Sequence, residues 1–192
     1  MSKGRMEAFS DGVIAVIITI MVLEMKAPHG SDLAALRATL PVFLVYVLSF
    51  VYLGIYWNNH HHMLYAAERV DGRVLWSNLH LLFWLSLIPF TTAWMGENHF
   101  AAIPTAVYGC VLIFAAIAYS ILQGALIAAN GSESLLAQAV GSDLKGRISL
   151  LLYAVAIALA FVNHWISDAL YVAVAALWLI PDRRIERRIS KK

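Results

Sequence analysis

Arg5, Ser10 and Asp11 stand immediately before a strongly apolar stretch, Val13 to Leu23, which is broken only by Thr19. An arginine, a hydroxyl and a carboxylate at the mouth of a membrane-spanning segment are costly unless they are partnered or functional. Crossing ~30 Å of hydrocarbon takes roughly 20 helical residues. Only twelve uncharged residues separate Asp11 from Glu24. A helix here therefore spans only if its charged ends reach the membrane edges or enter protein.

At about 100° per residue, Gly12, Val16, Thr19, Ile20 and Leu23 fall within one sector of roughly 100°, with Ala15 at its border. This stripe has two readings. Small residues at three- and four-residue spacing let helix backbones approach closely, and Thr19 can bond within its own helix, so the face suits helix packing. The same face suits a pore wall in a symmetric oligomer, with apolar rings at Val16, Ile20 and Leu23 and a hydroxyl ring at Thr19.

A second group of polar residues, Trp57-Asn58-Asn59-His60-His61-His62, closes the second apolar segment. Three consecutive histidines project ~100° apart on a helix and cannot converge on one ion, so no metal site is expected. Instead, Ser10 and Asp11 are natural partners for His60 or His61, because the first helix starts where the second ends. Asn78, in the third segment, lies at a depth where it can join them. Pro89 is expected to kink that segment or free a backbone carbonyl. There is no nucleophile elbow, glycine-rich phosphate loop or paired acidic motif, so no enzymatic activity and no cofactor are expected. The carbonyl-filter sequence of potassium channels is absent as well.

The elements that must position these residues are membrane helices. The 192-residue chain is 61% hydrophobic and 14% charged, with a mean hydropathy of +0.72, which excludes a soluble globular domain. Its single cysteine, Cys110, excludes an intrachain disulfide framework. Met1 to Gly12 lacks the order of a cleavable signal. Apolar segments at 6–25, 41–65, 74–95, 101–129, 148–162 and 166–180 predict an all-α integral membrane protein forming one six-helix domain over 1–192. The last two are short and are read as a hairpin around Asn163-His164-Trp165. Of the 14 Lys and Arg residues, Lys26 and Arg37 alone fall on the side away from the termini; the positive-inside rule then places both termini in the cytoplasm. The basic tail, Asp182 to Lys192, reads as a topology anchor on anionic lipid and not as a nucleic-acid patch. A loop at 27–39 is expected to hold a short helix capped by Ser31 or Asp32. The 130–146 break reads as a loop or short surface helix.

Arg5-x-x-x-Phe9-Ser10-Asp11-Gly12, with Thr19 eight residues after the aspartate and Leu23-Glu24 closing the helix, resembles the first-helix signature of the lysosomal/endosomal potassium channel family (the transmembrane protein 175 family) in its single-repeat prokaryotic form. Trp57-Asn58-Asn59-His60-His61 and Asn78-Leu79 with Pro89-Phe90-Thr91 resemble the second and third helices of that family. The resemblance implies a homotetramer whose four first helices line a potassium-permeable pore in the bacterial inner membrane, without a re-entrant filter loop. It also implies a narrowest ring at Val16, further apolar rings at Ile20 and Leu23, and a potassium-preferring hydroxyl at Thr19. Arg5, Phe9, Ser10 and Asp11 would hold each first helix through hydrogen bonds involving Trp57, Asn58, His60, His61 and Asn78. Isoleucine or leucine is the usual constriction residue, and the valine here is one methylene smaller. Potassium is then the permeant ion and membrane lipid the surrounding partner. The rival reading is a proton- or cation-coupled transporter, with Asp11 and the second-helix histidines as its relay.

Overall fold

A computed structural model describes residues 2–140 and 143–179. Among them every regular element is helical: α1 Lys3–Glu24, α2 Leu33–Ala38, α3 Leu40–Ala66, α4 Gly72–Ser86, α5 Ile88–Glu97, α6 Ala102–Asn130, α7 Leu135–Val140, α8 Leu144–Leu159 and α9 His164–Leu179. Local chemistry sets the boundaries. The Asp32, Asp71 and Asp143 side chains accept from the backbone amides of Ala35, Val74 and Gly146, which caps α2, α4 and α8. Asp32, not Ser31, is thus the cap of α2. Capping by Asp143 also starts α8 four residues before the apolar pattern does, because a capped first turn tolerates Lys145 and Arg147 at the membrane edge. The basic tail expected to anchor the chain lies outside the described residues, as does the end of the sixth apolar segment at residue 180.

The third apolar segment is not one continuous helix. It divides at Leu87 into α4 and α5, with Pro89 in the first turn of α5. A proline has no amide hydrogen and its ring clashes with the preceding turn, so the α-helical ladder stops there. The Leu87 amide reaches the Leu85 and Trp84 carbonyls at the break, and the Thr91 hydroxyl donates to the Leu87 and Ile88 carbonyls one turn on.

Four stretches are long and apolar enough to cross a membrane: Lys3–Glu24, Leu40–Ala66, Gly72–Glu97 and Ala102–Asn130. Helices α8 and α9 have 16 residues each, a length of about 24 Å at 1.5 Å per residue. They pack on each other as a hairpin and on α6 and α3. α1 packs against α3, α4 and α5.

The interior has two centres. One joins Ile14, Ile17 and Met21 of α1 to Leu53 and Met63 of α3, Leu81 and Leu85 of α4, and Ala115 and Leu122 of α6. The other surrounds three buried tyrosines, Tyr52, Tyr153 and Tyr171, together with Tyr108, Leu112 and Val174. Lipid is as apolar as leucine, so close packing and hydrogen bonds, not transfer from water, hold such helices together. Two glycines allow the closest approaches. A Cβ at Gly96 would lie 2.6 Å from the Val42 Cα, and one at Gly109 would collide with the Tyr171 hydroxyl.

Candidate functional site

Helix α1 has two faces of different character. Ile14, Ile17 and Met21 are 2%, 4% and 2% exposed, whereas Val16, Ile20 and Leu23 are 55%, 41% and 78% exposed. Gly12 and Thr19 belong to the uncovered face as well. The 3.6-residue period therefore separates a face that meets α3, α4 and α5 from one that the described residues leave largely uncovered. The Thr19 hydroxyl donates to the Val16 carbonyl at 2.8 Å. Its hydrogen is thus committed to the helix, and its oxygen lone pairs remain on the uncovered side, available to a cation. An open groove of about 820 Å³ runs beside this face, bounded by Phe9, Val16 and Ile20 on one side and by Ser86, Pro89 and Phe90 on the other. Pro89 contributes its own ring to that second wall.

The opposite face of α1 is pinned by a relay of hydrogen bonds near its amino-terminal end. The Ser10 hydroxyl donates to the Met6 carbonyl at 2.8 Å and accepts from the Asn78 amide nitrogen at 2.9 Å. The Asn78 carbonyl oxygen meets His60 Nε2 at 2.8 Å. Because an amide oxygen only accepts, Nε2 carries the hydrogen, which fixes the imidazole tautomer. Ser10, His60 and Asn78 are all buried, so α1, α3 and α4 are joined through side chains that water does not reach. His60 Nδ1 has no partner among the described residues.

A second, more exposed layer lies beside this relay. Trp57 Nε1 donates to Asp11 Oδ1 at 3.0 Å, and His61 Nδ1 meets Glu7 Oε1 at 3.1 Å. The His61 ring stacks on Trp57. Lys3 Nζ donates to the Ala67 carbonyl at 2.8 Å. The expected pairing of Asp11 with an imidazole is therefore replaced by one with the indole, and Ser10 reaches His60 only through Asn78. The three histidines face different surroundings, as their ~100° separation requires.

Of the residues singled out by the sequence, Ser10, Asp11, Trp57, His60, His61 and Asn78 thus share one region. Arg5, Phe9 and Asn58 do not join them within one chain: all three are exposed, and neither Arg5 nor Asn58 makes a hydrogen bond to another described side chain. Glu7 and Lys3 were missed. The available signal was their spacing, since Lys3, Glu7 and Ser10 recur every three or four residues on the face that carries Ile14 and Ile17.

At the far end of α1, Lys26 pairs with Glu97 at 2.9 Å. The hydrogen bond and charge of Glu97 raise the Lys26 ammonium above its ordinary value.

A bundle of long apolar helices with one uncovered, hydroxyl-bearing face on its first helix defines a class, the multi-pass membrane channels, and the comparisons agree. The family model described as endosomal/lysosomal potassium channel TMEM175 matches residues 5–89. A protein from Chryseobacterium sp. named as a potassium channel is 53% identical over 191 residues, covering all of both chains. The solved structure of a lysosomal potassium-selective channel TMEM175 homolog from Chamaesiphon minutus superposes with a TM-score of 0.83 at 29% identity, covering 93% of this chain and 96% of that one. The Gallus gallus protein named as an endosomal/lysosomal proton channel TMEM175 is 35% identical over 141 residues; the match covers 66% of this chain but only 28% of that longer protein. The chain belongs to the TMEM175 family, a family of ion channels and not of enzymes.

Proposed function

We propose that four copies of this chain assemble around a central axis in a bacterial inner membrane and conduct potassium passively between their first helices. The observation that carries this reading is the uncovered face of α1, where Val16, Ile20 and Leu23 share one side with the Thr19 oxygen. In a fourfold assembly each becomes a ring. Val16 then forms the narrowest apolar constriction, Ile20 and Leu23 form wider rings further along, and Thr19 lowers the cost of a cation beside an apolar wall. One hydroxyl ring supplies far fewer oxygens than stacked carbonyls, so selection of potassium over sodium is modest. The groove beside Phe9 and Phe90 would receive a neighbouring subunit. Arg5 and Asn58, exposed in one chain, would find partners across that interface.

In this reading residues 1–192 form one six-helix domain with both termini in the cytoplasm, and the short helices α8 and α9 cross as a hairpin. No cofactor takes part. The names of the bacterial relatives and of the superposed structure support potassium as the permeant ion.

The test is potassium flux into liposomes carrying the purified full chain, driven by a potassium gradient and repeated with sodium and with a proton gradient. Rapid potassium flux without any proton gradient supports the pore. Flux that requires a proton gradient overturns it and favours the coupled transporter.

A further inference from the structure

His164 and Asp168 open α9 at the turn that joins it to α8, away from every residue assigned to the pore. Four-residue spacing puts both on one helical face, with His164 Nδ1 and Asp168 Oδ2 3.7 Å apart. Their side chains are 30% and 15% exposed. Both carboxylate oxygens and the imidazole Nδ1 are buried and have no hydrogen-bond partner among the described residues.

Tyr108 and Tyr171 lie within electrostatic reach of the carboxylate, other titratable groups pack beside those two rings, and most are already committed. From α6 come Tyr108, whose hydroxyl is shared with Ser49, and Cys110. On α9 itself, the Tyr171 hydroxyl donates to the Thr105 carbonyl. From α3, the Tyr52 hydroxyl donates to the Tyr171 carbonyl. From α8, Tyr153 packs its ring beside Tyr52 and Tyr171. No described lysine or arginine pairs with Asp168. A bare carboxylate in such surroundings is costly, and His164 stands within ion-pair distance to offset it.

We propose that His164 and Asp168 form a proton-binding site. One proton taken from water resides on the imidazole Nδ1 and turns it toward the carboxylate, closing the 3.7 Å gap into a charge-assisted hydrogen bond. When that proton leaves, Asp168 is left without a counter-ion. The site adjoins the junction of three helices, because Tyr171 follows Asp168 by one turn and is bonded to both α6 and α3. Proton occupancy therefore acts on the seating of α9 against the helix that carries Trp57, His60 and His61.

Trp165 supplies a reporter, since its ring lies 4.7 Å from that of His164 and an imidazolium quenches indole emission more than an imidazole does. The experiment is a pH titration of tryptophan fluorescence on the full chain in detergent. A step is expected that disappears in both Trp165→Phe and His164→Gln. It is expected to move in Asp168→Asn, where the site loses its carboxylate, and to return toward the wild-type position in Asp168→Glu. A step that is absent from the wild type, or that stays in place in Asp168→Asn, overturns the proposal. The readout requires no ion conduction, so its failure is distinguishable from failure of the pore.

Discussion

At the start of α1, Ser10, Asn78 and His60 pass hydrogen bonds from helix to helix at 2.8–2.9 Å, whereas at the start of α9 His164 and Asp168 face each other across 3.7 Å with no hydrogen bond between them. Both clusters are polar groups in a bundle that lipid surrounds. Their difference lies in supply. The first contains neutral donors and acceptors that complement one another, so it closes without any exchange with water. The second contains a carboxylate and an imidazole and closes only with a proton from outside. One arrangement braces the fold through bonds already made between helices; the other, as proposed, responds to the medium.

The largest effect is expected from breaking the brace. Asn78→Leu leaves the His60 Nε2 hydrogen buried without an acceptor and takes one donor from the Ser10 oxygen, which keeps its bond to the Met6 carbonyl, a loss of about 1–3 kcal/mol of stability. It should appear as a lower melting temperature and a smaller assembled fraction in detergent, and unchanged melting would remove Asn78 from the brace. Asp11→Ala strips the acceptor from a more exposed bond to Trp57 and should lower assembly yield by less. If Val16 forms the proposed constriction, Val16→Ala should raise conductance in bilayer recordings by widening it; unaltered currents would remove Val16 from that role. Under the same proposal, Thr19→Val keeps the shape but removes the hydroxyl oxygen, and should shift the reversal potential toward equal permeation of potassium and sodium. On the other side of the comparison, Asp168→Asn replaces an unsatisfied carboxylate with a neutral amide and should raise the melting temperature by a few degrees above the pH of the step, where the imidazole is neutral. The smallest effect belongs to Lys26. Its raised ammonium contributes stability that is fully present below the ordinary lysine range and is lost only as pH rises through the raised value. Because the pair is exposed, that contribution is small, so Lys26→Met should lower melting only slightly and by the same amount from pH 6 to 9, where the contribution is fully present.

The stripe on α1 was legible in the chain because helical periodicity alone assigns Val16, Thr19, Ile20 and Leu23 to one side. An interruption at Pro89, a cap for α2 at Ser31 or Asp32 and the α8–α9 turn near Asn163 were legible for similar reasons, since each follows from local backbone chemistry; the structure chose Asp32. The pairings were not. Asp11 was matched to an imidazole by depth, yet depth leaves open which of two adjacent side chains on α3 turns toward α1. The rotation of α3 in its packing against α1 and α4 brings Trp57 to Asp11, His61 to Glu7 and His60 to Asn78.

Hydrophobic period, proline, glycine and charge distribution determined by themselves that this chain makes apolar helices, where most of them start and stop, and which side of the first one carries a hydroxyl. Those are properties of residues within a few positions of one another, set by backbone geometry and transfer to lipid. Only the tertiary structure decided which polar groups find partners, because a hydrogen bond requires donor and acceptor within about 3 Å across helices far apart in the chain. On that test Ser10, Asn78 and His60 were paired, and Asp168 was left to His164 and a proton.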